Sequence, residues 1–257
     1  MKKYPVNLKK SPVDERDYVA ESIFPSKAEP LPEILDLRSD LMSVRDQGNQ
    51  GSCAAMSSSC MKEWQEKKDV NFSGYMSPQF IYNNRENQDS EGMYSRDVMK
   101  ILNKIGSVPE SYYPYETKQK ITEDLKSLAK NYTIKGYAQI YTIDGLKKAL
   151  ATNGPCYIAF PVYNFENRFW KPQQGDVSYG GHAVLVVGYN KEGFIIRNSW
   201  GKEWNDNGYT IFPYLDFGLQ WEIWTTIDEN SSNPYKPPVI KKTLFEKIIE
   251  WFLNLFK

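Results

Sequence analysis

Apolar and polar positions divide the chain into an early part with helical spacing and a late part built of short apolar runs. From Ser95 to Ile105 the apolar residues Val98, Ile101, Leu102 and Ile105 recur at i, i+3, i+4 and i+7, and Gly106 follows, which predicts an amphipathic helix with a glycine stop. Ser52 to Met61 is rich in serine, alanine and methionine and runs on into Lys62-Glu63-Trp64-Gln65-Glu66-Lys67-Lys68, a helix whose first half is expected to be buried. Ser77 before Pro78 reads as an N-cap and first helical position for a helix over 77–84. Residues 121–130 and 143–151 read as further helices, and 132–141 alternates as a strand. Beyond that point the signal changes, and 156–160, 182–189, 194–197 and 209–212 all read as strands. Helices early and strands late predict an α+β chain of two lobes, mainly helical first and β-rich second, with a cleft between them.

The ends of the chain differ from its middle. Residues 1–30 are polar and punctuated by proline, with Asp14-Glu15-Arg16-Asp17-Tyr18 the one dense charged cluster, and read as an extended arm before a domain over 31–230. Residues 231–240 have linker composition, and 241–257 form an amphipathic helix with a wide apolar face and a net positive charge, suited to a membrane surface, a partner groove or its own domain.

Composition removes several classes. Lys plus Arg (32) balances Asp plus Glu (32), so no global charge calls for nucleic acid. Aromatic residues make up 14% of the 257 positions, too many for a disordered chain. Three cysteines cannot close a disulfide framework, and Cys53 and Cys60 on one helix lie roughly 10 Å apart, too far to bridge. With no signal-peptide pattern at Met1-Lys2-Lys3-Tyr4-Pro5, the expectation is an intracellular, reducing compartment, at a membrane surface or inside a larger particle if the final helix so directs. No stretch reaches the roughly 18 apolar residues needed to cross a bilayer.

Candidate chemistry centres on Gln47-Gly48-Asn49-Gln50-Gly51-Ser52-Cys53. A helix starting near Ser52 aims free backbone N–H groups and a positive dipole end at the Cys53 sulfur, which favours the thiolate, and Gln47 can donate a side-chain hydrogen bond nearby. A buried structural cysteine fits the same seven residues, so the partners decide. The chain holds a single histidine, His182, opening a strand after Gly180-Gly181, and sixteen residues later comes Asn198-Ser199-Trp200-Gly201. An asparagine can fix one imidazole nitrogen and leave the other for a thiol, while a tryptophan two residues on shields the contact. Nucleophile, base and orienter for thiol acyl transfer are therefore present.

At these residues the chain resembles the papain-like cysteine peptidases, the papain and cathepsin family, whose His and Asn stand about 130 to 150 residues after the nucleophile. Here they follow Cys53 by 129 and 145 residues. The resemblance runs over roughly 31–230 through Gln47, Gly51-Ser52-Cys53, Gly181-His182-Ala183, Arg197-Asn198-Ser199-Trp200-Gly201 and Asn207-Gly208-Tyr209, and Tyr113-Pro114-Tyr115-Glu116 matches a further landmark. It implies Cys53 as nucleophile, His182 as acid and base, Asn198 as orienter, and Gln47 with the Cys53 N–H as oxyanion donors. Gly51 and Gly181 would flank the substrate, Gly92 (Met93 after a one-residue shift) would pair with its backbone, and Trp200 would cover the His182 contact. Met93, Ala159 and Gly180 would line an apolar pocket. The activity implied is a cysteine endopeptidase acting on peptide or protein substrates, with no cofactor and no metal. The alternatives are a silent binding or scaffold protein on the same fold, or an amidase or acyl transferase acting on a non-protein substrate. The chain departs from the family in having Gln50 where most members carry a disulfide cysteine, and Ala54 and Ala55 where an aromatic residue usually follows the nucleophile.

Overall fold

The computed structural model describes residues 3–24 and 30–227. The predicted linker 231–240 and helix 241–257 lie outside the described residues. In chain order the elements are α1 (Ala20–Ile23), β1 (Leu35–Asp36), α2 (Cys53–Val70), α3 (Pro78–Asn83), α4 (Ser95–Lys104), α5 (Glu123–Ala129), β2 (Gly136–Gln139), α6 (Ile143–Asn153), β3 (Cys156–Val162), β4 (Gly180–Tyr189), β5 (Gly193–Arg197), β6 (Tyr209–Pro213) and β7 (Glu222–Ile227).

One antiparallel sheet in the order β2-β7-β3-β4-β5-β6, with β1 added beside β4, forms the β-rich lobe. β3 is buried along its whole length and β4 from its second residue on, because both faces of the sheet are covered. On one face Ile158, Phe160, Val184 and Val186 pack with α6 residues Leu146 and Leu150 and with the rings of Phe169, Trp170 and Phe212. On the other, Tyr157, Ala159, Ala183, Leu185 and Val187 pack against Cys53, Ala54, Cys60 and Met61 of α2 and Val98, Met99 and Leu102 of α4. A third cluster under α3 and α5, around Phe80, Val108, Tyr113 and Leu128, completes the helical lobe. Among the described residues no helix is long and apolar enough to cross a membrane.

The structure alters several expectations from the sequence. Burial on α2 continues past its first half, since Lys62 pairs with Glu66 at 2.8 Å and donates to the Thr133 carbonyl, while Glu63 accepts from the Met76 N–H at 3.1 Å; partners inside the lobe replace water for each charge. The strand expected over 132–141 shrinks to Gly136–Gln139, because Tyr132 closes a 3-10 turn and the Tyr141 N–H is taken by Glu21. The strand β7 had no counterpart in the sequence reading, although it lies between β2 and β3. Ala54 and Ala55 are fully buried, so the small residues after Cys53 let α2 sit close against β4.

The arm is held as tightly as a core element. Val6 and Leu8 are buried, Leu8 donates its N–H to Gly181 at 3.0 Å, and Lys9 donates to Met93 at 3.0 Å. Further on, Val19 bridges Gln139, and the Glu21 carboxylate accepts from Tyr141 N–H, Thr142 N–H and Thr142 Oγ1, all at 2.9 Å, where α6 begins.

Candidate active site

Cys53 is the first residue of α2. Ser52 stands in the N-cap position, yet its hydroxyl meets Tyr115 Oη at 2.6 Å instead of capping the helix, so the first-turn N–H groups remain available to the sulfur. Burial pushes the Cys53 thiol up to about 11, against the opposing pull of N–H groups from Ala183, Ala54 and Cys53 itself. Cys53 shares one buried cluster with Ala183, the residue that follows His182 on β4.

His182 Nε2 donates to Asn198 Oδ1 at 2.7 Å, and the same oxygen accepts from Ser199 N–H at 2.7 Å. The carboxamide oxygen is thereby fixed toward the ring. With Nε2 carrying the proton, Nδ1 is the basic nitrogen, and it has no hydrogen-bond partner among the described residues. Burial pushes the imidazole down to about 4, only partly offset by Asn198. Trp200 stacks on the imidazole with centroids 4.4 Å apart and planes 21° apart, and Phe169 meets the ring edge-on at 5.6 Å. These rings exclude water from the His182 to Asn198 contact.

Gln47 is buried and held by three bonds to Ser199 and Gln50. Its Oε1 accepts from Ser199 Oγ at 2.7 Å, its backbone N–H donates to the Ser199 carbonyl at 2.8 Å, and Nε2 donates to the Gln50 carbonyl at 3.0 Å. The residual reach of Nε2 goes to the Pro5 carbonyl of the arm, at 3.4 Å. Tyr115 Oη donates to the Gln47 carbonyl at 2.8 Å and so braces the loop from below. Ser199 and Tyr115 thus hold the site although neither was marked for it in the sequence. Both flank or fall within motifs already noted, but the side-chain partner of each depends on tertiary placement.

The candidate substrate residues meet at the same cleft, occupied by the arm. Gly92 has φ +83°, and a Cβ there would stand 1.9 Å from the Asn7 carbonyl oxygen, so only glycine admits this backbone approach. The Gly92 carbonyl is taken by Asn87 Nδ2, and it is Met93 that accepts the arm's N–H, at 3.0 Å. Gly51 faces Asn7 and the Gly92 N–H, and Gly181 accepts from Leu8. Met93 and Ala159 are fully buried beside Leu8 in one apolar cluster. That region is not purely apolar, however: Glu222, level with Ala159 in the β3–β7 register, accepts from the Ser11 N–H at 3.0 Å. At the opposite end Tyr4 stacks on Trp200 at 4.7 Å and donates to the Trp200 carbonyl at 3.2 Å. Among the described residues no group of three or more His, Cys, Asp or Glu side chains is placed to hold a metal ion, and all three cysteines are free and buried.

The model of the papain family of cysteine proteases matches residues 31–214. The chain is 31% identical over 227 residues to the cathepsin B-like protease CP3 of Giardia intestinalis, covering 76% of this chain and 73% of that protein. It is 30% identical over 247 residues to a peptidase C1-like protein of Acanthamoeba polyphaga mimivirus, covering 78% and 79%. Among solved structures, xylellain, a cysteine protease from Xylella fastidiosa, superposes with a TM-score of 0.77 at 29% identity, covering 88% of this chain and 96% of that one. The chain belongs to the papain family of cysteine proteases and has its two-lobed α+β fold. It is a cysteine peptidase, a hydrolase whose substrates are peptides or proteins.

Proposed function

We propose that the chain is an endopeptidase that works through a Cys53 acyl-enzyme and is held inactive by its own arm. The observation that carries the chemistry is the 2.7 Å bond from His182 Nε2 to Asn198 Oδ1, which commits Nδ1 to the thiol proton beside a cysteine at a helix start. Nδ1 takes that proton, and the thiolate sulfur attacks the carbonyl carbon. The resulting oxyanion is met by Gln47 Nε2 and the Cys53 N–H, and the amine leaves with the proton from His182. Water, deprotonated by the same nitrogen, then attacks the thioester and releases Cys53.

Endopeptidase action is supported by the arm itself. Residues 4–11 thread the cleft from Trp200 at one end to Glu222 at the other, so the groove takes an extended chain along its whole length. The same occupancy supports inhibition, because the Pro5 carbonyl already takes the Gln47 donor that the oxyanion needs. With the cleft covered, thiol and imidazole are both held neutral by burial, and displacing the arm restores the water that lets the ion pair form. Iodoacetamide labelling tests both parts. Tyr4→Ala, which removes the arm's stack on Trp200, is expected to make Cys53 react far faster than Cys60 or Cys156 at pH 6, whereas equal rates at all three thiols would contradict the reading.

A further inference from the structure

Asp14-Glu15-Arg16-Asp17-Tyr18 lies outside the catalytic cleft and is held on the domain by contacts of its own. Arg96, at the start of α4, grips the Asp17 carboxylate in a two-pronged contact, Nε to Oδ1 at 2.9 Å and Nη2 to Oδ2 at 2.5 Å. The Arg96 side chain is only 8% exposed and Asp17 only 10%, and Gln139 Nε2 donates to the same carboxylate at 3.3 Å. The guanidinium also lies over the Trp224 ring, 5.8 Å from its centroid. Around this pair is a pocket of about 360 Å³ whose domain wall is Arg96, Lys100, Asn103, Lys135, Gly136 and Tyr137, while the arm supplies Asp14, Arg16, Asp17 and Tyr18. The domain's own carboxylates nearby are Asp97, which is occupied by Lys100 at 3.4 Å, and Glu222, which is bonded to Trp224 Nε1 and to Ser11. Displacing the arm therefore strips a mostly buried guanidinium of its bidentate partner, and a fork of this geometry is matched by another carboxylate.

We propose that Arg96, with Lys100 and Lys135 beside it, is a carboxylate-binding exosite that holds the arm in the resting chain and afterwards selects protein substrates carrying an acidic segment at a distance from the scissile bond. This rests on the peptidase reading above. The arm gives the spacing: Pro5 meets Gln47 and Asp17 meets Arg96, twelve positions further along. Ser11 joins the two sites, bonded through its N–H to Glu222 and through its hydroxyl to the Arg96 N–H, so the exosite is continuous with the cleft.

The test uses the full chain carrying Tyr4→Ala and Asp17→Asn, which loosens the arm from the cleft and frees Arg96 without touching it. A short fluorogenic peptide is extended, at either terminus, by a ten-residue polar spacer and an Asp-rich tract, and compared with the same peptide carrying Asn in place of Asp. The expected result is that the acidic tract at one terminus lowers KM about tenfold, with kcat unchanged. The advantage shrinks in 0.5 M NaCl, disappears when Arg96→Gln is added to this chain and partly returns with Arg96→Lys in its place. Equal KM for the Asp and Asn tracts at both termini, or an advantage that survives Arg96→Gln in a chain with an unchanged melting curve, overturns the proposal. Fluorescence anisotropy of the labelled Asp tract separates the two readings: a chain that binds the tract through Arg96 but cleaves no peptide refutes the peptidase mechanism and leaves the exosite standing.

Discussion

Tyr4 stacks on Trp200 with ring centroids 4.7 Å apart and planes 8° apart, and the same indole stacks on His182 at 4.4 Å. One aromatic residue of the domain therefore carries both the shield of His182 and the first anchor of the arm, so loosening the arm should be felt at the proposed base. Tyr4→Ala is expected to raise the initial rate on a small fluorogenic peptide by about threefold to tenfold, the worth of one aromatic stack. Initial rates at fixed enzyme concentration check this, and an unchanged rate would separate the arm from inhibition.

The His182 to Asn198 bond predicts a loss of rate with little loss of fold. Asn198→Ala removes the partner of Nε2 and frees the ring to turn. A buried hydrogen bond to a group that becomes charged is worth enough for kcat to fall about tenfold to a hundredfold in an arm-loosened background. Steady-state kinetics on the Tyr4→Ala background gives the number, and KM is expected to stay near its starting value.

Ser199→Ala leaves Gln47 Oε1 without its 2.7 Å donor, so the amide loses one of the contacts that aim Nε2. The expected effect is a fall in kcat of about tenfold, smaller than the roughly hundredfold fall for Gln47→Ala, which deletes the proposed oxyanion donor itself. Comparing the two kcat values tests whether Ser199 acts through Gln47, and the double variant should be no worse than Gln47→Ala alone.

Acid should weaken the closed state. Burial holds His182 down to about 4, below the ordinary value of 6.5, so between these pH values the opened chain binds a proton that the closed chain refuses. The stabilisation is complete above pH 6.5 and is lost as pH falls through 4, amounting to about 3 kcal/mol. Cys53, pushed up to about 11, has the opposite sign: its contribution is present below pH 9 and is lost as pH rises toward 11. Urea unfolding from pH 4 to 7 should show stability rising with pH in the parent chain and a flatter profile in His182→Gln.

Much of the candidate site was legible because each of its parts has a local signature. Gln47, Cys53, His182 and Asn198 sit at element ends that glycines and small residues mark, and those ends face one another in the structure. The arm was harder to read, because Val6 and Leu8 are single apolar residues among polar ones and find their burial only against Gly180, Gly181 and Met93, far along the chain. Strand β7 opens on Glu222, a residue that a buried strand disfavours; Trp224 Nε1 and the Ser11 N–H satisfy that carboxylate, and neither partner is visible from sequence spacing. Arg96 is paired with Asp17, 79 positions earlier, and no local signal in the sequence marks that partnership.

Cleavage of a peptide library by Tyr4→Ala in reductant, with and without the added change Cys53→Ala, tests the central claim most directly. The account predicts cuts inside the peptides by Tyr4→Ala, inhibited by iodoacetamide, and none by Tyr4→Ala/Cys53→Ala. Cleavage that persists without the Cys53 sulfur would contradict it.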